Sequence, residues 1–256
     1  MSLLRFTIVI VLLSVLHSSF INAQDLLWTE NFDIGSAGPT STEGPTFNTS
    51  NGVWTTGGLD GDIWKHSYFT SSGEWSDNLT PFTSPTASNG FMLFDSDSVN
   101  YPLSPNYITL DGELISPSID LTGASSVALD FYQNFRTCCS NDPSISVSVS
   151  TDDGVSWLPS HDVTSGTPVN TSYYNNQGDS FDHVINLTSD AAGETIKLKF
   201  SWLGSFSLND SHYFWNFDDL SLSTLADDDL INLSAAFVGE TNYGVYYGRT
   251  PVNQLD

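Results

Sequence analysis

The stretch from Trp215 to Leu222, Trp-Asn-Phe-Asp-Asp-Leu-Ser-Leu, constrains the fold most. Apolar and polar residues alternate along it, which is the pattern of a β-strand with two different faces. Two neighbouring acids, Asp218 and Asp219, stand in its middle. A buried carboxylate is costly unless a base or a metal neutralises it, and the chain has six Lys and Arg against thirty Asp and Glu. Ca²⁺, which binds carboxylate and carbonyl oxygens, is therefore the natural candidate partner.

Short alternating segments continue through the rest of the chain. In Ser144–Thr151 the apolar residues Ile145, Val147 and Val149 alternate with serines, and no long segment has helical periodicity. The run Asn89–Asp95 is almost continuously apolar, so we expect it to be buried on both faces. The pattern predicts an all-β, two-sheet antiparallel jelly-roll β-sandwich. Its main strands are expected at 26–32, 126–135, 144–151, 195–202 and 213–224.

The two ends of the chain differ from this middle part. Residues 1–23 have a basic Arg5, an apolar run from Ile8 to Leu16 and Ala23 before a plausible cleavage point, so they predict a secretory signal peptide. The alternative is an N-terminal anchor. Residues 24–224 then form the sandwich domain, and 225–256 form a linker and the possible start of a further domain. We expect the protein to be secreted or held at the cell surface.

The net charge of the chain limits the classes of partner that it is expected to bind. The formal net charge is −24, and removing residues 1–23, which hold Arg5 and no acid, leaves five bases and thirty acids, or −25. Such a chain is repelled by nucleic acid and by anionic membranes, so neither is an expected partner. Many of the surface acids serve solubility alone.

Five motifs follow one another along the chain: Glu30–Asp33, Leu114–Leu121, Val127–Phe131, Ile145–Trp157 and Phe214–Leu222. In this order they resemble the MAM-like and cleaved-adhesin jelly-roll modules of secreted surface proteins, especially those of Bacteroidetes-type bacteria. The resemblance implies a module that serves in adhesion or binding, or one attached to a secreted peptidase or glycosidase. The long loop 33–62 departs from the pattern of the resemblance.

The resemblance also implies a structural Ca²⁺ that joins the first and last strands through an acid from each. The matching acids are Glu30 and Asp218, with Asp219 as the second choice for the last strand. Neighbours in a regular strand face opposite sides, so both Asp218 and Asp219 can bind the ion only if the strand bulges. Asp33 and Asp62 are weaker candidates from nearby loops. The alternative is that these acids are solvated at the strand ends.

Aromatic residues in or beside loops are candidates for stacking on sugar rings, because binding residues concentrate in loops. The candidates are Trp54, Trp64, Tyr68, Trp75, Tyr173 and Tyr174. The alternative is that about half of them close the ends of the sandwich.

Cys138 and Cys139 are adjacent. A disulfide between neighbours is strained, because a trans peptide holds their Cα atoms about 3.8 Å apart while ordinary disulfides span about 4.4–6.8 Å. In an exported chain with two cysteines, a vicinal disulfide, two reduced thiols and pairing to another molecule all remain open.

No motif for catalysis stands out. The histidines do not cluster, and the sequence has no nucleophile elbow, HExxH or phosphate loop. We therefore expect a non-catalytic binding or adhesion module of a larger extracellular protein, with a glycan or a protein as ligand. The alternative is a carbohydrate-binding module attached to a secreted hydrolase or peptidase, and a catalytic jelly roll is a third possibility.

Overall fold

The computed structural model describes residues 24–35, 41–73, 76, 81–100, 103, 108–138, 144–164, 174–176, 180–204 and 213–225. Side chains are not described at 137, 138 and 174–176. Within these residues the chain is all-β and its strands pair antiparallel in two sheets, which confirms the predicted sandwich.

The described residues contain fifteen strands, two short α-helices and two 3₁₀ turns, at Gly61–Ile63 and Ala87–Asn89. The strands are β1 (Leu26–Glu30), β2 (Thr42–Glu43), β3 (Thr46–Thr49), β4 (Gly52–Gly57), β5 (Trp64–Ser67), β6 (Phe91–Asp95), β7 (Asp111–Ile115), β8 (Ile119–Asp120), β9 (Ala128–Cys138), β10 (Ser144–Ser150), β11 (His161–Asp162), β12 (Tyr174–Asn176), β13 (Phe181–Asn186), β14 (Thr195–Leu203) and β15 (Phe214–Ser223). Helix α1 covers Ser96–Asn100 and helix α2 covers Thr188–Ala191.

Sheet 1 has the strand order β12-β9-β15-β6-β5-β2, with β1 also paired to β15 and β13 also paired to β9. Sheet 2 has the order β11-β10-β14-β7-β4-β3, with β8 also paired to β14. The acid-bearing strand β15 is therefore central, with β9 on one side and β6 on the other. Each of the five main predicted strands is present, with shifted ends.

The main core lies between the inner faces of the two sheets and is rich in aromatic rings. Phe200 of sheet 2 stacks on Phe217 of sheet 1, with ring centroids 4.4 Å apart and planes 16° apart. Trp215 packs on both rings and donates its indole N–H to Gln133 Oε1 at 2.9 Å. The alternating apolar residues of the central strands thus meet face to face, as their spacing of two predicts.

A smaller core covers the outer face of sheet 1. Phe91, Leu93 and Phe214 point outward from β6 and β15 and pack with Phe82 and Tyr213. Met92 and Phe94 point inward to the main core, so every residue of β6 is buried, as its continuous apolar run predicts. The segment that includes Phe82 closes this face of the sheet.

Residues Leu26–Thr224 form one compact unit. The predicted signal peptide, 1–23, and the tail from 226 lie outside the described residues, so both stay predictions. Helices in the described part of the chain are all too short or too polar to span a membrane.

Candidate functional site

Glu30 ends β1 with its carboxylate buried among neutral donors. Oε1 accepts the backbone N–H of Phe32 at 3.0 Å, and Oε2 accepts the Trp54 indole N–H at 3.0 Å. Oε2 also accepts Thr49 Oγ1–H at 2.6 Å and Asn51 Nδ2–H at 3.2 Å. The residue is 2% exposed. Four hydrogen bonds therefore compensate the burial of this acid, and both of its oxygens are occupied.

Asp218 lies on the other side of sheet 1 from Glu30. Its neighbour Phe217 points into the main core, so the Asp218 side chain points outward, where Oδ2 accepts Ser84 Oγ–H at 2.5 Å and Thr86 Oγ1–H at 3.4 Å. Oδ1 is buried without a hydrogen-bond partner among the described residues. Burial, more than the nearby charge of Asp219, raises the pKa of Asp218 to about 8. This carboxyl group therefore requires a proton or a cation to balance its charge.

The bulge on which the sequence-based argument depended is present in β15. Its register against β9 shifts between Asp218 and Ser221, and Asp219 adopts a positive φ of 51°. Asp219 accepts the Thr86 backbone N–H at 2.9 Å and Thr86 Oγ1–H at 2.7 Å. Asp218 and Asp219 therefore share Thr86 on one side of the sheet, and the strand then returns Leu220 to the core.

The structure brings Asp218 and Asp219 together but does not bring Glu30 to them. Glu30 pairs with Leu220, whose side chain is in the main core, and its carboxylate contacts Trp54 there. Glu30 and Asp218, the two acids that the resemblance joins, therefore lie on opposite faces of sheet 1. The Ca²⁺ bridge between the first and last strands therefore stays a prediction whose two ligands lie on opposite faces.

Asp33 and Asp62 lie apart from this pair. Asp33 is exposed and its Oδ1 accepts the backbone N–H of Gly35 at 2.8 Å. Asp62 is exposed and lines a cleft at the edge of sheet 1. Throughout the described part of the chain, no three His, Cys, Asp or Glu side chains gather closely enough to hold a metal ion.

The prediction of ligand-stacking rings is wrong for Trp54 and Trp64. Both are 0% exposed, because the sequence around each is a strand whose inward positions they occupy, so the rings pack in the main core. Tyr68 is half-buried, and its ring meets the His66 ring edge to face at 5.4 Å.

Five further predicted residues lie outside the described part of the chain, either entirely or in their side chains. Trp75 and Tyr173 are entirely outside it, and for Tyr174, in β12, only the backbone is described. Cys139 is not described and only the backbone of Cys138 is, so the disulfide alternatives stay open.

An aromatic residue that the sequence reasoning did not select lies on the outer face of sheet 2. Lys199 Nζ is 4.7 Å from the centroid of the Trp157 ring, so the partly exposed indole lies over an outward side chain of β14. Lys199 also forms an ion pair with Glu113 Oε1 at 2.7 Å, and Lys197 forms one with Asp153 at 2.7 Å. The sequence signal was the row of outward serines in β10, which leads into the turn before Trp157.

That turn is fixed by hydrogen bonds to Asp152. Its carboxylate accepts Ser156 Oγ–H at 2.6 Å, the Ser156 backbone N–H at 2.8 Å and Ser150 Oγ–H at 2.8 Å. These bonds, led by the one from the Ser156 hydroxyl, lower the pKa of Asp152 to about 2. The carboxylate therefore stays charged at neutral pH and orders the turn that carries Trp157.

A row of side chains extends from the position of Trp157 across sheet 2. The register aligns Ser148, Lys199, Ile115, Thr55 and Thr46 on five neighbouring strands. At a strand spacing of about 4.8 Å the row is roughly 19 Å long. Thr55 and Thr46 are exposed and Ile115 is half-buried, so this part of the outer face is open to solvent. We call the row, together with Trp157 and Glu113, the sheet 2 platform.

Comparisons with known proteins give distant likenesses of fold. No protein-family model matches the sequence, and no curated protein matches it. The K1 cleaved adhesin domain of Lys-gingipain from Porphyromonas gingivalis W83 is 16% identical, with a TM-score of 0.40 over 76% of this chain and 96% of that one.

Two carbohydrate-binding modules are also similar in structure. TmCBM61, solved with β-1,4-galactotriose, is 15% identical, with a TM-score of 0.35 over 66% of this chain and 86% of that one. CBM6cm-2 from Cellvibrio mixtus lichenase 5A, solved with cellotriose, is 11% identical, with a TM-score of 0.30 over 78% and 98%. The MAM-like part of the resemblance has no counterpart among these three. Likenesses this distant assign neither a family nor a ligand.

Proposed function

We propose that this chain is an extracellular binding module and that its ligand is a glycan lying along the sheet 2 platform. The observation that carries the proposal is the partly exposed indole of Trp157, held over Lys199 in a row whose far end, Thr55 and Thr46, is open to solvent. The outer face of sheet 1 offers no such surface where the Phe82 cluster covers it. The two faces of the sandwich therefore differ in accessibility.

The chemistry of the platform suits a sugar chain. A pyranose ring has an apolar C–H face that loses contact with water when it packs on an indole. Its hydroxyl groups form strong hydrogen bonds with charged partners, and Lys199, which contacts the indole, is paired with Glu113. Because the lysine of the platform is paired with an acid, the platform favours an uncharged glycan over an anionic one.

The test is a titration of the chain with neutral oligosaccharides chosen from a glycan array, followed by calorimetry. We expect Trp157→Ala to weaken the binding about tenfold, which corresponds to about 1.4 kcal/mol. Val155→Ala is the matched control, because Val155 belongs to the same turn and is 85% exposed. An array without binders, or equal affinities for the two variants, contradicts the proposal, and an empty array favours adhesion to a protein.

We further propose that Asp218 and Asp219 hold a structural Ca²⁺ with the hydroxyl oxygens of Ser84 and Thr86. The buried, unpartnered Oδ1 of Asp218 supports this proposal, as does the convergence of these six oxygens on one face. Six to eight oxygens is the usual set for Ca²⁺. Glu30 does not fit this site, since its oxygens are occupied on the inner face.

A metal that binds only the folded chain stabilises it by about 2.7 kcal/mol at a hundredfold excess over the dissociation constant. We expect chelation to lower the melting temperature of the chain, and Asp218→Asn to remove that difference. Asp33→Asn is the control, because Asp33 is exposed and Asn keeps the acceptor for Gly35. A melt that chelator leaves unchanged excludes the ion.

Export belongs to the same proposal, since the predicted signal peptide, 1–23, supports it. Secretion or display at the cell surface, as part of a larger protein such as a hydrolase or peptidase, follows from that segment and from the resemblance. N-terminal sequencing of the exported protein is expected to give Gln24 as the first residue. A mature protein that begins at Met1 contradicts cleavage.

A further inference from the structure

A cleft of about 320 Å³ lies at the edge of sheet 1, whereas the platform belongs to sheet 2. Its walls come from β2, β5, the end of β6, helix α1, the 61–63 turn and the chain just before β7. The lining residues are Glu43, Asp60, Asp62, Ile63, Lys65, Asp95, Ser98, Val99, Ile108 and Leu110.

The one lysine of the cleft is already neutralised. Lys65 Nζ is 2.8 Å from Asp95 Oδ2, with side chains 16% and 2% exposed. The other oxygen of Asp95 accepts Ser71 Oγ–H and the Ser98 backbone N–H. The charge of Lys65 is therefore balanced by Asp95, and this pair adds no net charge to the cleft.

Three acids of the cleft remain without a cation. Asp60 Oδ2 accepts the Asp111 backbone N–H at 2.8 Å, while Glu43 and Asp62 are exposed and have no ion-pair partner among the described residues. Four acids and one lysine line the cleft, so its net charge is 1 − 4, or −3. The charge of the cleft therefore favours a positively charged ligand.

The described acids of the cleft are not arranged for a metal ion, and part of its lining is apolar. No three acidic side chains in the described part of the chain are close enough to hold one ion. Ile63, Val99, Ile108 and Leu110 supply a hydrocarbon surface, of which Ile108 is 45% exposed. A lining that combines hydrocarbon with dispersed carboxylates matches a cation on an aliphatic stem, because such side chains pack the stem on hydrocarbon and direct the charge to the acids.

We propose that this cleft binds a lysine or arginine side chain of a protein partner. The function goes beyond glycan binding, because it uses another part of the fold and another class of ligand. The whole sequence has only six Lys and Arg, and three of them are already paired: Lys199 with Glu113 on the platform, Lys197 with Asp153, and Lys65 with Asp95 in the cleft. The cation is therefore supplied by a partner richer in basic residues than this chain.

The test uses the full chain, labelled with ¹⁵N, and the peptide acetyl-Gly-Lys-Gly-amide, with the same peptide acetylated at the lysine amine as control. We expect the free amine to shift the amides around Ile63, Val99 and Ile108, and the acetylated peptide to leave them unchanged. Equal shifts with both peptides overturn the proposal, because the charge then has no role. Calcium chloride that shifts the same amides also overturns it, in favour of a metal site.

Two double variants separate local recognition from the general negative field. Glu43→Gln with Asp62→Asn is expected to weaken peptide binding about fivefold to tenfold, since each partly exposed pair contributes up to about 1 kcal/mol. Asp120→Asn with Glu194→Gln removes the same charge from exposed positions around β8 and β14, and we expect little change. Equal losses in both variants overturn the proposal. Trp157→Ala must leave peptide binding intact, so failure here is distinguishable from failure of the glycan proposal.

Discussion

Replacement of Glu30 by Ala tests whether hydrogen bonds or a metal neutralise this buried acid. Of its four donors, the Trp54 indole and the Phe32 backbone belong to residues that are 0% exposed, while Thr49 and Asn51 are more accessible to water. A buried donor that loses its partner costs about 1–3 kcal/mol. Two such donors, with the lost bonds to a charged group, give a loss of about 3–5 kcal/mol in the free energy of unfolding.

The measurement is urea unfolding of the full chain, followed by tryptophan fluorescence, in excess chelator and in excess calcium. A thermal melt of the same samples is the second measurement. For a domain of this size, the melting temperature falls by about 2–4 °C per kcal/mol, so we expect Glu30→Ala to lower it by roughly 6–20 °C. Glu30→Gln is expected to fall between wild type and Glu30→Ala, because it keeps one acceptor oxygen and turns an N–H group toward donors.

Asp33→Ala is the control for the same loop. Its carboxylate is exposed and accepts the backbone N–H of Gly35, so the variant is expected to lose less than about 0.5 kcal/mol. A loss below about 1 kcal/mol for Glu30→Ala refutes the reasoning from buried donors. If Glu30→Ala lowers the free energy of unfolding in excess calcium but not in excess chelator, Glu30 is instead a metal ligand.

Three further predictions concern the core. Burial lowers the pKa of His66, so below about pH 6.5 the unfolded chain binds a proton on this residue more readily than the folded chain does. The free energy of unfolding is therefore expected to fall between pH 7 and pH 5, by at most about 1.4 kcal/mol per pH unit. If His66→Gln leaves this pH dependence unchanged, the reasoning is wrong. Gly90 has φ +99°, and an added Cβ would lie 2.2 Å from His66 Cε1, so Gly90→Ala is expected to cost about 2–5 kcal/mol in urea unfolding. Gly123→Ala, with nothing within 4 Å, should cost less than about 0.5 kcal/mol, and equal losses would refute the steric reason. Phe200→Ala is expected to cost about 3–5 kcal/mol, because its ring stacks on Phe217 between the sheets; a loss below about 1 kcal/mol would show that this stack is dispensable.

The sequence by itself determined the class of fold and the direction of most strand side chains. Alternation of apolar and polar residues is a local property, and side chains in a strand point to alternate faces whatever the strand pairs with. For this reason Ile145, Val147 and Val149 could be assigned to the core, and the continuous run of β6 could be assigned to burial on both faces. The need for a compensated acid in β15 was also readable, since a buried carboxylate has the same cost in any fold.

Only the tertiary structure decided which residues meet. Trp54 and Trp64 follow loop-like sequence, yet both occupy inward positions of strands and are lost as ligand-binding candidates. The bulge at Asp219 is a matter of register against β9, which no local pattern encodes, and it places Asp218 and Asp219 together on the face opposite Glu30. Trp157 became a candidate because β14 brings Lys199 beneath its ring from more than forty positions away in sequence. Such contacts between residues distant in sequence depend on how the strands pair and on which face of the sandwich each loop crosses. The physical reason is that the local backbone sets the direction of a side chain, whereas the packing of the whole sandwich decides which side chains come close to it.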